Sequence, residues 1–226
     1  RSAHDYLASC FPGVPDHELD MLASSGLVAF NAGSVILKKG LPHEQMILVL
    51  SGVAEAIGPE AGLRHRLCAG ALIGEICGFL GEPALWTFRA ASAITALAIP
   101  CEAYRLFVRR NGLEEEIRRL HDLRLFLFTT RLFGEMAYFH VQRRIARIME
   151  KRVAAAGASL EAEGGPMLYL LAAGEIELHF GDIVVERIGP GDFWGETWVA
   201  GGQVADFTAW VVQDAVYYAI PAEPLK

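Results

Sequence analysis

The sequence predicts a mainly β protein with α-helices, arranged as a β-roll, a long dimerisation helix and a second, partial β-roll. Three observations support this prediction. Short apolar runs separated by Gly and Pro fill residues 27–100, a helical apolar stripe follows, and a β pattern returns from residue 159. We therefore divide the 226 residues into segments 1–112, 113–157 and 158–226, with a helical connector in the middle.

The composition favours a folded protein in a reducing compartment. The chain is 53% apolar and 21% charged, which supports a packed core. No apolar run reaches the ~18 residues of a membrane helix, and no signal-peptide pattern is present. We therefore expect a cytoplasmic protein without a membrane partner, and a chain that starts at Arg1 as a piece of a longer one. The cysteines lack a C-x-x-C pair and are interpreted as core residues: Cys10, Cys68, Cys77 and Cys101.

The net charge of −7 is unevenly distributed. Residues 105–152 contain twelve basic and six acidic groups, which leaves a net charge of −13 for the rest of the chain. A basic helical stretch can bind nucleic acid. No zinc-finger spacing or aromatic RNA-binding motif accompanies it here, so we interpret it as a solvated helix face.

The N-terminal half changes from helix to strand. Residues 3–25 indicate short helices that are broken by Pro12 and Pro15, with Asp16 as the cap of the second helix. Glycines then interrupt the apolar runs at intervals of 6–12 residues, as is typical of a β-sandwich or β-roll. Residues 27–100 are therefore predicted to form a compact all-β unit.

A helical pattern extends from residue 102 to about residue 155. Leu113, Ile117 and Leu120 fall on one helix face. A second stripe continues it with Leu125, Phe128, Leu132, Met136 and Phe139. Large apolar side chains also occupy the other faces of residues 123–139, so we predict burial on two sides, one of them against a second copy of the chain. Burial within a single chain is the alternative.

An internal repeat links the two β regions. At a fixed offset of 121 residues, ten identities occur over 33 positions without a gap, whereas typical residue frequencies predict roughly two. The first copy contains Gly70, Gly74, Glu75, Gly81, Ala84, Thr87, Ala98, Ile99, Pro100 and Glu102, and the second contains Gly191, Gly195, Glu196, Gly202, Ala205, Thr208, Ala219, Ile220, Pro221 and Glu223. Gly52 and Gly174 extend the match with one gap. We expect an incomplete second copy, with only about residues 158–166 in place of the opening strands.

The first copy resembles a cyclic nucleotide-binding domain. The resemblance rests on MILVLSGVAEAI (46–57), AGALIGE (69–75) and LAIP (97–100). Members of that family place a Gly-Glu pair before a short helix and an Arg nine or ten residues after the Glu. The resemblance implies that Gly74, Glu75 and Ile76 begin the ligand site, with Glu75 accepting a hydrogen bond from a ribose hydroxyl. In the family, the helix amides and the Arg hold the cyclic phosphate.

Two placements of the phosphate-binding arginine compete. One placement uses Arg89. Compared with the family spacing, it needs about five extra residues before the arginine and five fewer after it. The other is gapless, puts Ala84 at the phosphate position with Leu85 beside it, and preserves the register to Ile99. We prefer the gapless placement because it agrees with the internal repeat. An odd offset from Ala84 would also point Arg89 to the opposite face of a regular strand.

Both predicted pockets then lack the arginine. In the second copy, Gly195 and Glu196 are followed by Ala205 at the same position. Losing a charged hydrogen-bond partner costs ~1.5–3 kcal/mol, or roughly tenfold to a hundredfold in affinity. Leu85 and Trp86 make the first pocket more apolar still. We predict that cyclic-nucleotide binding is weak, absent or replaced by another ligand.

The resemblance continues into the helices and is closest to the bacterial catabolite-activator group. In that group a long helix dimerises and presents hydroxyl groups to the ligand base. The resemblance implies that role for Thr129 and Thr130, and it implies a homodimer through the long helix. AYFHVQRRIAR (137–147) is similar to the start of the group's DNA-binding domain. No helix-turn-helix pattern follows it, so we predict no DNA partner.

The sequence predicts neither catalytic residues nor a metal site. No nucleophile–base–acid set stands out, and no H-x-H or H-x-x-x-H spacing is present. His65, His121 and His140 are the candidate ligands if haem binds. A cyclic nucleotide is the cofactor that the resemblance implies, and haem is disfavoured.

These observations favour a non-enzymatic regulatory or sensor module that signals through ligand-dependent or partner-dependent helix movement. A small-molecule effector is the expected ligand. Three alternatives stay open: an ordinary cyclic AMP receptor that uses Arg89, a ligandless protein-interaction scaffold, and a haem-type redox sensor. The final residues IPAEPLK (220–226) match the segment that leads into helix in the first copy, so we expect an output domain beyond Lys226.

Overall fold

A computed structural model describes residues 1–58, 64–133, 139–160, 167–195 and 207–222. Backbone packing divides the chain into two compact units. The first contains residues 1–122 and 136–143, and the second contains residues 123–135 and 144–226. The segment 113–157, which we predicted as a separate connector, contributes residues to both units.

Two short helices open the first unit, α1 (Ala3–Cys10) and α2 (Asp16–Ala23). The Ser2 hydroxyl accepts a hydrogen bond from the Asp5 backbone amide, and the Asp5 carboxylate accepts one from the Ser2 backbone amide, which closes a capping box. The expected cap of α2 is wrong. Pro15 is the N-cap and Asp16 is the first helical residue, where a carboxylate interacts favourably with the helix dipole.

Two antiparallel four-stranded sheets form the first β-roll. One has the order β1-β8-β3-β6, with β1 (Gly26–Phe30), β3 (Gln45–Ser51), β6 (Leu72–Ile73) and β8 (Ile94–Pro100). The other has the order β2-β7-β4-β5, with β2 (Val35–Leu37), β4 (Ala54–Ile57), β5 (Arg64–Leu67) and β7 (Thr87–Ala90). The predicted all-β unit over residues 27–100 is therefore present, with one short helix, α3 (Glu75–Leu80), inside it.

Three further helices follow the first roll: α4 (Cys101–Arg110), α5 (Glu114–Thr129) and α6 (Phe139–Ile148). Ile117 and Leu120 are fully buried in the single chain, as their common face predicted. The predicted continuous stripe is wrong, because α5 ends at Thr129 and Leu132 lies in a turn. Met136 and the side chains of Leu125, Phe128 and Phe139 lie outside the described residues.

The second unit is built on one six-stranded sheet. Its main order is β10-β14-β11-β12, with β13 also paired to β11 and β9 to β14. The strands are β9 (Glu150–Ala154), β10 (Ser159–Leu160), β11 (Met167–Phe180), β12 (Ile183–Ile188), β13 (Phe193–Trp194) and β14 (Phe207–Pro221). The helical pattern predicted to residue 155 is therefore wrong, since β9 begins at Glu150.

The strand pairs of the second unit have the same register as those of the first, shifted by 121 or 122 residues. The three matched sets are Ile47↔Ala98 with Tyr169↔Ala219, Ile47↔Ile73 with Tyr169↔Trp194, and Glu55↔Arg66 with Glu177↔Arg187. The turns match as well. The Gly70 amide donates to the Val49 carbonyl and the Gly191 amide to the Leu171 carbonyl, both at 2.8 Å.

The opening strands that we expected to be missing from the second copy are present. The strand β9 pairs with β14 through Glu150↔Ala219, in the same way that β1 pairs with β8 through Gly26↔Ala98. The strand β10 pairs with β14 at Trp210, and β2 pairs with β7 at Arg89. Trp210 and Arg89 correspond to each other at the repeat offset of 121 residues. Sequence identity did not reveal these strands, because strands pair through backbone hydrogen bonds and these do not require particular side chains. Residues 161–166 of the expected replacement lie outside the described residues.

Each unit has its own buried core. In the second unit, the Tyr169 and Trp194 rings stack with centroids 4.9 Å apart, and Tyr217 packs against both rings. The cysteine interpretation holds for Cys10, Cys77 and Cys101, which are buried, and is wrong for Cys68, which is exposed. No helix in the described ranges is long and apolar enough to cross a bilayer.

Candidate functional site

The helix α3 begins where the resemblance places the Gly-Glu pair. Gly74 is the N-cap and has φ +81°, a conformation that side-chain-bearing residues rarely adopt. A Cβ atom there would lie 2.7 Å from the Leu37 side chain and 2.8 Å from the His43 ring. The His43 Nε2–H donates a hydrogen bond to the Gly74 carbonyl at 3.0 Å. The position therefore requires glycine for both conformation and space.

Glu75 and Ile76 follow Gly74 and are buried, with exposed fractions of 0% and 2%. The nearby thiol of Cys10 is buried too. Burial, with a smaller contribution from the Glu75 charge, raises the pKa of Cys10 to about 12. The first carboxylate of the predicted site thus lies in the interior of the first unit and not at its surface.

Ala84 lies in the segment between α3 and β7 and is also buried, with 4% exposed. Its backbone amide donates to the Leu41 carbonyl at 3.1 Å, and its carbonyl accepts from the Gly40 amide at 2.8 Å. Ala84 therefore offers a buried methyl group and no hydrogen-bond donor to an anion. Leu85, the next residue, is about one-third exposed.

Arg89 lies on the outer face of the roll. In the β4–β7 ladder it is opposite Glu55, whereas the neighbouring pair Ala54 and Ala90 is buried. Residues directly opposite one another in a ladder share a face, and successive residues alternate between faces. The Arg89 side chain is exposed and leaves the sheet on the side opposite to the buried Ala90.

Thr129 is the last residue of α5 and Thr130 follows it. Both belong to the second unit, whereas the other six candidate site residues belong to the first. The Thr129 hydroxyl donates to the Phe126 carbonyl at 2.7 Å, and the Thr130 hydroxyl donates to the Leu127 carbonyl at 2.8 Å. The Thr130 hydroxyl also accepts a hydrogen bond from the Phe133 amide. Both hydroxyl groups therefore donate their hydrogen bonds to backbone carbonyls at the end of the helix.

Two further side chains of the first roll are buried: Trp86, which we expected to make the first pocket more apolar, and His65, which we named only as a candidate haem ligand. Trp86 and His65 are 5% and 4% exposed, and their ring centroids are 5.2 Å apart. His65 alternates with the exposed Arg64 and Arg66 along β5, so it points into the roll. That alternation in the RHRL segment was the available sequence signal for a buried histidine.

The predicted haem ligands do not form a cluster in the part of the chain that the structure describes. His121 lies 3.3 Å from Glu82 and 3.5 Å from Asp122, and His65 lies against Trp86. Among the described residues, no three His, Cys, Asp or Glu side chains are grouped as metal ligands. The His140 side chain lies outside the described residues, as do Glu196 and Ala205 of the second predicted pocket.

Comparisons with known proteins agree with this geometry. Residues 27–111 match the sequence model of the cyclic nucleotide-binding domain. No curated protein sequence matches the chain significantly. Among solved structures, cAMP-bound PfPKA-R (141-441) is similar with a TM-score of 0.52 at 13% identity, over 98% of this chain and 80% of that chain.

Two trypanosomal structures are similar as well. One is a triple mutant of the regulatory subunit of a cAMP-independent protein kinase A from Trypanosoma brucei, bound to cAMP in the A site (TM-score 0.50, 18% identity, 97% of this chain and 83% of that chain). The other is the corresponding subunit from Trypanosoma cruzi bound to guanosine (TM-score 0.50, 16% identity, 99% and 81%). The family match covers residues 27–111, so the first β-roll is the part of this chain that is similar to the cyclic nucleotide-binding domain family.

Proposed function

We propose that the chain is a non-enzymatic regulatory module whose first β-roll does not hold a cyclic phosphate in the manner of its family. The observation that carries the proposal is the buried Ala84, whose backbone amide already donates to the Leu41 carbonyl. Arg89, the nearest arginine along the chain, lies on the outer face of the sheet. This arrangement supports the gapless placement of Ala84 at the phosphate position.

The physical argument concerns the charge of the ligand. A cyclic phosphate carries a negative charge, and burying a charge without a partner is costly. An arginine would offset that cost with two charge-assisted hydrogen bonds, whereas the Ala84 methyl group offsets none of it. An uncharged ligand does not incur this cost, so the site is better suited to a neutral molecule than to cyclic AMP.

The descriptions of the relatives support the same proposal. The Trypanosoma brucei relative is described as the subunit of a cAMP-independent kinase, and its triple mutant is described as bound to cAMP. The Trypanosoma cruzi relative is described as bound to guanosine, a nucleoside without a phosphate group. We infer that this chain, too, is independent of cyclic AMP.

Within the first unit, the contacts between α3 and α4 provide a route for signalling through helix movement. The Arg105 side chain, on α4, donates a hydrogen bond to the Gly78 carbonyl of α3 at 2.9 Å. A Cβ atom on Gly78 would lie 2.9 Å from the Cys101 sulfur at the start of α4. Because α3 and α4 pack this closely, a displacement of α3 by a ligand or partner would move α4 as well.

The matched register supports a tandem arrangement of two rolls, and we propose that the chain acts as a homodimer in the cytoplasm. A reducing compartment fits the four free cysteines. Light scattering tests the dimer, which we expect at about twice the 24.7 kDa of one chain. A mass of one chain at micromolar concentration would contradict it. On α5, Ile117 and Leu120 are already buried in the single chain, so a dimer contact would use other residues of the helix.

Calorimetric titration with cyclic AMP tests the proposed function. We expect no binding to the unmodified protein, and we expect the same for Arg89→Ala. The variant Ala84→Arg restores a guanidinium at the phosphate position, which is worth at least about tenfold in affinity, and it should show measurable binding of cyclic AMP. Leu85→Arg is the matched control, because it adds the same charge one residue away.

One result would overturn the proposal. Micromolar binding of cyclic AMP by the unmodified protein, lost in Arg89→Ala and retained in Arg66→Ala, would show an ordinary cyclic AMP receptor. Arg66 is the control because it lies on the same outer face. Glu55 is paired with Arg66 on one side and with Arg89 on the other.

A further inference from the structure

We propose that Trp86 is a built-in occupant of the first β-roll, and that the space it fills accepts an uncharged heteroaromatic ring when the indole is removed. This inference rests on the proposed function, because it concerns the same roll. It adds which part of the roll the chain itself already fills, and it names the chemical class that this space fits.

The first argument for the proposal is that Trp86 is buried inside the roll. It lies two residues after Ala84, immediately before β7, and only 5% of it is exposed. Its ring contacts that of His65, which lies in the same register row as the buried Ala56. The indole is therefore inside the roll, next to the position where a phosphate-binding arginine would act.

The second argument is that small side chains lie on the inward face of β4 and β7. The inward positions of β4 are Ala54 and Ala56, and the inward position at the end of β7 is Ala90, all of them buried. Phe88 is opposite Ala56, shares that face and is partly buried. The three alanine methyl groups beside it take up little volume, and a protein interior is close-packed, so a further large side chain is needed to complete the packing. We infer that the buried Trp86 indole is that side chain.

The second roll provides a contrast at the matched position. Phe207 corresponds to Trp86 at the repeat offset of 121 residues, but 46% of Phe207 is exposed. Its ring lies against Phe180, with centroids 5.8 Å apart. Burial of an aromatic ring at this position is therefore not a requirement of the strand arrangement. It is a property of the first roll.

The chemistry of the space defines its ligand class. Removing an indole from an apolar interior leaves a flat cavity, and such cavities bind apolar aromatic molecules. The His65 ring supplies one stacking surface. The neighbouring Ala84 supplies no charge. An uncharged base-like ring fits this environment, and a nucleoside such as adenosine carries one without a phosphate group.

Cavity rescue tests the proposal. We expect Trp86→Ala to melt roughly 10 °C below the unmodified protein. Indole and adenosine, each at about 1 mM, should raise the melting temperature of Trp86→Ala by several degrees and leave that of the unmodified protein unchanged. Trp86→Leu, which keeps more apolar volume, is the second variant if Trp86→Ala does not fold.

The matched control is Trp194→Ala in the second roll. Trp194 is 6% exposed and is part of an aromatic core cluster, so its removal creates a cavity of similar size. This variant measures the general effect of filling a tryptophan cavity, so the adenosine shift of Trp86→Ala should exceed that of Trp194→Ala. Two results would overturn the inference: no stabilisation of the folded Trp86 variant by either molecule, or an equal adenosine shift with Trp86 in place. Neither result depends on whether cyclic AMP binds the unmodified protein. The titration with cyclic AMP tests the proposed function, and the melting temperatures test this inference, so the two failures are distinguishable.

Discussion

At the scale of single residues, burial decides what Cys10 can do. Only 1% of Cys10 is exposed, and burial raises the pKa of its thiol from 9.0 to about 12. The folded state therefore keeps the thiol protonated over a range in which the unfolded chain ionises it. The stabilisation is complete below pH 9 and is lost as the pH rises from 9 towards 12.

This shift predicts a pH dependence of stability. Urea unfolding of the unmodified protein should show a fall in free energy between pH 9 and pH 11 that is shallower in Cys10→Ala. Cys68→Ala is the control, since Cys68 is exposed and should leave the slope unchanged. Equal slopes in the unmodified protein and Cys10→Ala would show that Cys10 does not contribute.

Arg143 is a second residue whose surroundings set its role. It is 3% exposed, and its guanidinium donates to both carboxylate oxygens of Glu116 and to the Cys10 carbonyl. The same group lies 5.3 Å from the Phe11 ring centroid. One side chain of α6 thereby contacts α5 and the end of α1.

Removing Arg143 should strongly destabilise the fold. Arg143→Met leaves the Glu116 carboxylate partly buried without its cation, and we expect a loss of about 3 kcal/mol or more in the free energy of unfolding. Arg144→Met is the matched control. Arg144 is exposed on the next position of the same helix, so its loss should cost less than the loss of the buried Arg143. Denaturant unfolding of both variants provides the comparison.

At the scale of elements, two glycines allow the strands to bend at matched positions. Gly52 follows β3 with φ +88°, and Gly174 lies within β11 with φ +92°. A Cβ atom on Gly52 would overlap the Ala93 backbone, and one on Gly174 would overlap the Asp214 backbone. Both positions therefore require glycine for two reasons, the conformation and the close approach of the neighbouring strand.

Alanine substitutions test this requirement with a matched pair of controls. Gly52→Ala and Gly174→Ala should each destabilise the protein by more than about 3 kcal/mol. Gly33→Ala and Gly157→Ala have the same positive φ but open space around the new Cβ, so each should cost only about 1 kcal/mol. Similar losses in all four variants would show that the backbone contacts do not matter.

At the scale of the whole molecule, the chain consists of two compact units with separate cores. The first has the small inward alanines and the buried Trp86, and the second has the aromatic cluster around Trp194. The matched register supports a common arrangement for both rolls, whereas their interiors differ. We therefore expect the two rolls to differ in stability and in the ligands they accept.

Two units with separate cores predict two unfolding transitions. Calorimetry should resolve them. Gly52→Ala should lower the temperature of one transition and Gly174→Ala that of the other. A single transition that shifts equally in both variants would show that the rolls unfold as one cooperative structure.

The sequence by itself determined the β-roll over residues 27–100, the internal repeat and the Gly74–Glu75 turn. These features depend on turn glycines and on alternation along strands, which are local properties that the chain records directly. The family match to residues 27–111 confirms the resemblance that these features indicated.

Only the tertiary structure decided the rest. It showed β9 and β10 as the opening strands of the second roll, because backbone pairing leaves no identity between their residues and those of β1 and β2. It ended α5 at Thr129, whereas the apolar spacing continued beyond that residue. It also placed Trp86 inside the first roll, since which ring fills a space depends on the sizes of side chains from distant strands.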